Sequence, residues 1–429
     1  MTTFNLEKYN QERKAFFGQY PYFFANFEDP NYPLEYALFD THEISMKQAV
    51  ELSYATEMLW KIHKKATVMI LDLTDEQLEL MGFRSEILPY IRLNYLQNPS
   101  ILGRFDFICT DNGQIKMIEL NADTPFMLSE TFEMNYLVCE HFGKTDMNDF
   151  DELSIAVNTA IEHAAKYLGK PLSDVHLVTT SKEIDVDFEE FANVYLLQEA
   201  IDMPVRASFE PIQNLIIYAE DKGDIKRGLY TNNMERIDIL YRPAHPLEFI
   251  LDDVSADGER IGLQLLDLVK DKELAIINSP AAYILQSKML MWMIWIGKDN
   301  DELFTEEEQQ VINKYMLPTY MDANYFTENN IPYVKKPIYG REGNSVEIVV
   351  DAAGNNDKAK EQHYLDNYFL YQQYVEMPDK QIVLKDGFYT KKLLMGSFIS
   401  NNKAIGLTAR IGSKITEWDS HWMAVSIEV

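Results

Sequence analysis

A chain of 429 residues with 39 Lys plus Arg against 68 Asp plus Glu has a formal charge of −29, a field that repels nucleic acid and anionic membranes and attracts cations at long range. Hydrophobic residues at 46% and charged residues at 25% exclude a disordered or low-complexity chain. Two cysteines, Cys109 and Cys139, exclude a disulfide framework and point to a reducing cytoplasm.

The opening MTTFNLEKYNQERKAFF mixes charges of both signs and lacks the apolar core of a signal peptide, so no export is expected. Over 45–65, Met46, Val50, Ala55, Met58, Leu59 and Ile62 fall near one face at helical spacing with Ser45 as the cap. Residues 1–98 read as mainly helical. From about residue 100 short β-like runs, FDFICT, IKMIEL, VHLVTT, LIIYAE and RIDILY, alternate with helices such as 188–202. Helices over 258–270 and 281–296 follow. The second contains the apolar run Met289 to Gly297, far short of the roughly 20 residues a membrane span needs, and reads as a buried helix. Mixed strands then pass through YVKKPIYGREGNSVEIVV and LLMGSFIS. The pattern predicts an α/β or α+β protein, one interlocked unit without linkers or repeats.

Gly103 to Pro125, GRFDFICTDNGQIKMIELNADTP, carries the strongest chemical signal. Two alternating runs flank Asn112-Gly113, the sequence of a two-residue hairpin turn. Pairing Asp111 with Gln114 and counting outward sets Asp106 opposite Glu119 and Arg104 opposite Asn121, all on one face of the ribbon. Facing carboxylates repel unless a cation lies between them. Mg²⁺ suits, because it takes hard oxygen ligands from one or two carboxylates and shares bound phosphates, with Asn121 extending the set. Arg104 then stands beside the metal to hold a phosphate or an oxyanion. On spacing alone a solvated hairpin whose charges pair with one another remains the alternative.

At these residues the chain resembles the glutathionylspermidine synthase family, whose signature joins an Arg-Phe-Asp strand to a Glu-x-Asn-Ala-Asp segment; here GRFDF and ELNADTP. The likeness continues through YRPAHPLEFILDD, LQSKMLMWMIW, KKPIYGREG, YQQYVEMP and GSFISNNKAIGLTAR. It implies an ATP-grasp-like fold with a helical N-terminal part (1–98), a metal hairpin and substrate part (99–254) and a nucleotide-binding part (255–429). It also implies ATP and Mg²⁺ as cofactors and an amide-forming reaction between a peptide or glutathione-like carboxylate and a spermidine-like amine, through an acyl phosphate. By the same resemblance Asp106, Glu119 and Asn121 are magnesium ligands and Arg104 steadies the transferred phosphoryl group. Lys288 and Lys336 hold ATP, Arg341 and Arg410 line the phosphate and substrate side, and Asp123 and Thr124 fall beside the acid substrate.

Phosphoryl transfer to a carboxylate rests on positioning and charge neutralisation, which is what such a residue set supplies. Gly340 and Gly343 would free the loop around Arg341 to close over nucleotide, against a plain surface turn as the alternative. Lys288, in an apolar helix, either snorkels to solvent or faces the nucleotide. Gln372, Gln373 and Tyr374 are expected to meet the adenine edge through backbone groups, with ordinary strand residues as the alternative. Phe126 stands where the family carries a small hydroxyl residue, which leaves the acid open. Glu189 and Glu190 are offered for the amine, or form the polar face of a helix. The rival from another class is a non-catalytic nucleotide- or polyamine-binding protein that keeps the fold.

Overall fold

The computed structural model describes residues 4–23, 27–28, 33–182, 188–350, 356–364 and 368–428. Helix α1 (Leu6–Phe17) starts where the Asn5 side chain accepts the Lys8 N–H. A strand, β1 (Ala37–Ser45), interrupts the segment expected to be helical, and Ser45 then caps α2 (Met46–Leu71) by accepting the Gln48 N–H at 3.2 Å. The buried arc of α2 includes Ala49, Leu52, Ala55, Thr56, Leu59, Trp60, Ile62 and His63, whereas Met46 and Val50 are exposed. That corrects the predicted seam. The helix lies against a sheet on one side and three further helices on another, so the covered arc is broader than a single stripe.

The hairpin strands β2 (Leu102–Cys109) and β3 (Ile115–Asn121) come next. After α3 (Phe150–Leu168) follow β4 (His176–Thr179), α4 (Phe188–Glu199) and β5 (Arg206–Phe209). The chain continues through β6 (Ile239–Tyr241), α5 (Leu247–Asp252), α6 (Ile261–Lys270) and β7 (Ala275–Ile277). The helix expected over 281–296 is two helices, α7 (Ala282–Gln286) and α8 (Met289–Gly297), because Ser287 turns extended and the Lys288 N–H leaves for the Ile338 carbonyl at 2.9 Å. Helix α8 buries Met289, Leu290, Met291 and Ile294 but exposes Ile296, so the apolar run is only half enclosed. The remainder is α9 (Glu306–Tyr315), then β8 (Thr319–Tyr320), β9 (Tyr333–Pro337), β10 (Glu347–Val349), β11 (Asn356–Lys358), β12 (Phe369–Gln373), β13 (Asp379–Leu384), β14 (Gly387–Ser400), β15 (Lys403–Gly412) and β16 (His421–Glu428).

Three sheets organise these elements. The largest has seven strands in the order β1-β16-β15-β14-β2-β3, with β13 also on β14; it is antiparallel except where β1 runs parallel to β16. Its strands come from widely separated stretches of the chain, which interlocks them. A parallel sheet, β7-β6-β4-β5, is joined by helices; its strands β7, β6 and β4 are buried on both faces, and the edge strand β5 is partly exposed. A five-stranded antiparallel sheet, β8-β12-β9-β10-β11, stands opposite the hairpin. The main cores follow this division: one spreads from α2 and the hairpin to α8 and α9, the other around α3 and the parallel sheet. No helix among the described residues is long and apolar enough to cross a membrane.

Candidate active site

The hairpin reaches the predicted register by a different route. Its loop has three residues, not two: Thr110 pairs with Gln114, Gly113 donates to the Thr110 carbonyl at 2.9 Å, and Gly113 takes φ +81°. That shift would set Asp106 against the wrong neighbour. A β-bulge between Asp106 and Phe107 leaves Ile118 as the extra residue and restores the count, so Arg104 pairs with Asn121 and Asp106 with Glu119. Phe105, Phe107, Met117 and Leu120 enter the core, which fixes the opposite face for the charges.

On that face Arg104 chelates Asp106, Nε to Oδ1 at 2.7 Å and Nη2 to Oδ2 at 3.1 Å, and its Nη1 reaches the Phe126 carbonyl at 3.0 Å. Asn121 Nδ2 donates to Asp106 Oδ2 at 3.3 Å. Gly396, opposite Asp106 on β14, makes room for the arginine: a Cβ there would lie 3.0 Å from Arg104 Cδ and 2.7 Å from Thr408 Cγ2. Asp106 and Arg104 are buried, whereas the Glu119 side chain is 26% exposed and faces the cleft. Burial would raise the Glu119 pKa, but Lys288, Lys336, Arg104 and Arg410 together hold it down to about 2. It is therefore an anion under surplus positive charge.

Lys336 lies on β9 and donates to the bulged Ile118 carbonyl and to Gln372 Oε1, both at 2.7 Å. Burial lowers its pKa to about 8, with Lys288 adding to the fall and Glu119 and Asp106 opposing it. Lys288 caps α8 at the helix break and donates to the Gly340 carbonyl at 2.8 Å, with Glu119 Oε2 at 3.5 Å. It neither snorkels nor sits inside a helix. Both lysines line a partly open cleft between the hairpin and the five-stranded sheet, with apolar walls from Ile108, Ile118, Val334, Val375, Met377 and Leu394. Gln372, Gln373, Tyr374 and Arg410 reach the same cleft. The N–H groups of Gln373 and Tyr374 are committed to the Pro318 and Pro332 carbonyls, and the Gln372 side chain to Lys336, so these two amides do not face a base as expected.

The other predicted residues divide. Thr124 is beside Arg341, whose Nη1 donates to its Oγ1 at 2.9 Å. Asp123 is corrected: its side chain is wholly buried, chelated by Arg242 at 2.9 and 3.0 Å and bound by the Leu247 N–H at 2.7 Å, which leaves no face for a substrate. It positions the loop instead. Gln286 Oε1 accepts the Ala122 and Asp123 N–H groups, and Asn278 Nδ2 holds the Asp123 carbonyl. Glu190 is likewise buried and engaged by the Lys182 N–H and Nζ, both at 3.0 Å, rather than offered to an amine. The Glu189 side chain lies outside the described residues. Arg242, Gln286, Asn278, Gly396 and the apolar wall escaped the sequence reading; a glycine inside the run LLMGSFIS was the one visible sign.

A family model described as "Glutathionylspermidine synthase preATP-grasp" matches residues 6–428. The chain belongs to this family. A curated protein of Haemophilus influenzae named "Putative acid--amine ligase" is 25% identical over 333 residues, 76% of this chain and 74% of the relative. The apo structure of a glutathione synthetase-like effector from Globodera pallida superposes with a TM-score of 0.58 at 10% identity, covering 99% of this chain and 97% of that one. That likeness concerns the fold. Membership in the glutathionylspermidine synthase family makes a ligase of the carboxylate–amine class the functional frame.

The donor set fits a magnesium ion that arrives with phosphates. Asp106 and Glu119 face each other with the Asn121 amide alongside, and two carboxylates are the usual protein share for Mg²⁺ in nucleotide sites; Glu119 is the open one, and Asp106, both of whose oxygens Arg104 holds, would join a metal by giving up part of that chelate. Among the described residues no three His, Cys, Asp or Glu side chains gather as a self-sufficient cage.

Proposed function

We propose that the protein is an ATP- and magnesium-dependent ligase that activates a carboxylate as an acyl phosphate and transfers the acyl group to an amine. The observation that carries this reading is Glu119, a partly exposed anion beneath Lys288, Lys336, Arg104 and Arg410, facing Asp106 at the edge of an apolar-walled cleft. Magnesium, held by Asp106, Glu119 and Asn121, would offset charge on the phosphates.

The chain's own groups supply the rest. Lys288 and Lys336, each already hydrogen-bonded to backbone carbonyls, present fixed cations to the phosphates. The apolar wall takes the base. Arg104 is locked by Asp106 and the Phe126 carbonyl, so its orientation is set before substrate arrives. In the first step a carboxylate oxygen bonds to the γ-phosphorus and ADP leaves. In the second the amine nitrogen bonds to the acyl carbon, inorganic phosphate leaves and the nitrogen gives up a proton. Phe126, whose carbonyl meets Arg104 and whose ring packs against the core around α3, stands in place of a small hydroxyl residue, which supports an acid other than glutathione.

Magnesium-dependent ADP release tests this directly, with ATP, a mixture of short peptides including glutathione, and spermidine, followed by intact-mass analysis. ADP only when acid and amine are both present, with a product at the summed mass less water, is the expected result. A hydroxamate on adding hydroxylamine distinguishes an acyl phosphate from a stable phosphorylated product. Tight Mg-ATP binding without turnover in any mixture would instead support a nucleotide sensor.

A further inference from the structure

Beside the hairpin site stands a second charged pair that is far less settled. Glu248, on α5, has both carboxylate oxygens buried without a hydrogen-bond partner among the described residues. It forms a loose ion pair with Arg341, Nε to Oε1 at 3.7 Å, beyond hydrogen-bond length. Arg341 is equally under-used. Among the described residues its Nη1 donates to Thr124, Nε and Nη2 are buried without a partner, and the guanidinium stands 5.9 Å from the Phe249 ring. Burial raises the Glu248 pKa, Arg341 opposes the rise and Asp123 adds to it.

The local charges show what Arg341 does there. Asp123 is chelated by Arg242, which closes that pair. Glu248 then depends on Arg341 for compensation, and Arg341 departing would leave a buried carboxylate that demands another cation. The surroundings suit an ammonium: the Tyr283 and Tyr339 rings lie within reach of the Glu248 charge, 4.5 Å from one another, and Phe249 adds a third aromatic surface. Arg341 for its part sits in the turn beside the nucleotide cleft, whose lining includes its neighbours Gly340, Glu342 and Gly343. That turn has Glu342, Gly343 and Ser345 at positive φ. Phosphate would offer its guanidinium the bidentate partner that it lacks.

We propose that Glu248 is the carboxylate that receives the ammonium group of the amine substrate, and that Arg341 occupies it until nucleotide draws the arginine away. Amine and Arg341 then compete for one anion, and the amine binds after nucleotide. This rests on the ligase reading above. It also supplies the amine site that Glu190, engaged by Lys182, does not.

Equilibrium dialysis of the full chain with labelled spermidine, with and without magnesium and a non-hydrolysable ATP analogue, tests it. In the wild type, nucleotide should tighten spermidine binding ~10-fold, the shift expected if the masking contact is populated nine times in ten. Arg341→Met should bind spermidine without nucleotide as tightly as the wild type does with it. Glu248→Gln should lose spermidine binding in both conditions while nucleotide affinity rises by up to ~10-fold, because the arginine no longer has to leave a carboxylate. Unchanged spermidine affinity in Arg341→Met, or retained affinity in Glu248→Gln, overturns the proposal. Should Glu248→Gln fail to fold, Glu248→Asp serves: the charge stays but is withdrawn by one methylene, and weakened binding is expected, unchanged binding being contrary. ADP release with a condensed product but no effect of nucleotide or Arg341 on spermidine binding would refute the competition alone. Competition without ADP release would refute the ligase alone.

Discussion

Glu119 and Asp123 lie four residues apart in one motif, and their environments are opposite. Glu119 projects into a cleft, with four cations holding it ionised and part of its carboxylate open. Asp123 is sealed, its two oxygens taken by Arg242 and a backbone N–H. The first arrangement has charge left over for a ligand; the second balances within the protein. Asp106 lies between these two cases, both oxygens held by Arg104 yet set directly against Glu119, so a metal there would displace part of that chelate.

Breaking the open side should cost the most activity. Asp106→Asn removes the charge that faces Glu119 and chelates Arg104, so ligation should fall by at least on the order of 10²-fold. Mg-nucleotide affinity, read by titration calorimetry, should weaken with it. Unchanged affinity would remove the hairpin from the metal site. Breaking the sealed side should instead cost stability. Arg242→Met leaves Asp123 buried without its cation, a loss of about 3–5 kcal/mol in urea unfolding. Asp123→Asn combined with Arg242→Met should be milder than the sum of the single changes, because the stranded charge is gone. An additive result would mean that the two side chains act separately.

The contrast explains what could be read in advance. Alternation along 103–121 gave the faces of β2 and β3, since a period of two follows from backbone geometry alone. The opposition of Asp106 to Glu119 was also legible, although through two compensating features: a loop longer by one residue and a bulge at Ile118. The loop leaves no mark on the hydrophobic pattern, whereas the bulge leaves a small one: the core-facing residues of β3 are Ile115, Met117 and Leu120, a step of three where a regular strand has two. Whether an acidic residue is open or sealed depends on partners far away in the chain, as Arg242 does for Asp123, and spacing carries no such information. The same holds for β1, whose parallel pairing with β16 draws a stretch near the N-terminus into the sheet. The break at Gln286-Ser287-Lys288 was hidden because apolar residues flank it at helical spacing on both sides, while the residue whose carbonyl captures the Lys288 N–H, Ile338, is 50 residues further on.

The open side can be sharpened by pH. Burial lowers Lys336 to about 8 in the folded protein, below an ordinary lysine. From about pH 8 to the ordinary lysine value the unfolded chain binds the extra proton, so this residue makes stability rise with pH across that window. Nucleotide binding runs the other way, because phosphates favour the charged lysine. Affinity for the ATP analogue should therefore decline above about pH 8 with proton uptake on binding, and Lys336→Met should bind weakly with little dependence on pH. A wild-type profile as flat as the variant's would mean that Lys336 does not meet the phosphates.

The smallest effect should come from the hairpin tip. Gly113 has φ +81°, and a Cβ placed there meets nothing within 4 Å, so Gly113→Ala carries a conformational cost alone, about 1 kcal/mol. Activity should not change. Asp106 is also held by Gly396 on β14, and the bulge at Ile118 stands between the turn and the carboxylates. Register at the site is therefore expected to follow the sheet and the core rather than the turn. Urea unfolding and ADP release measured on the same preparation separate the two: lowered stability with wild-type turnover fits this assignment, and turnover falling in step with stability would return control of the register to the turn.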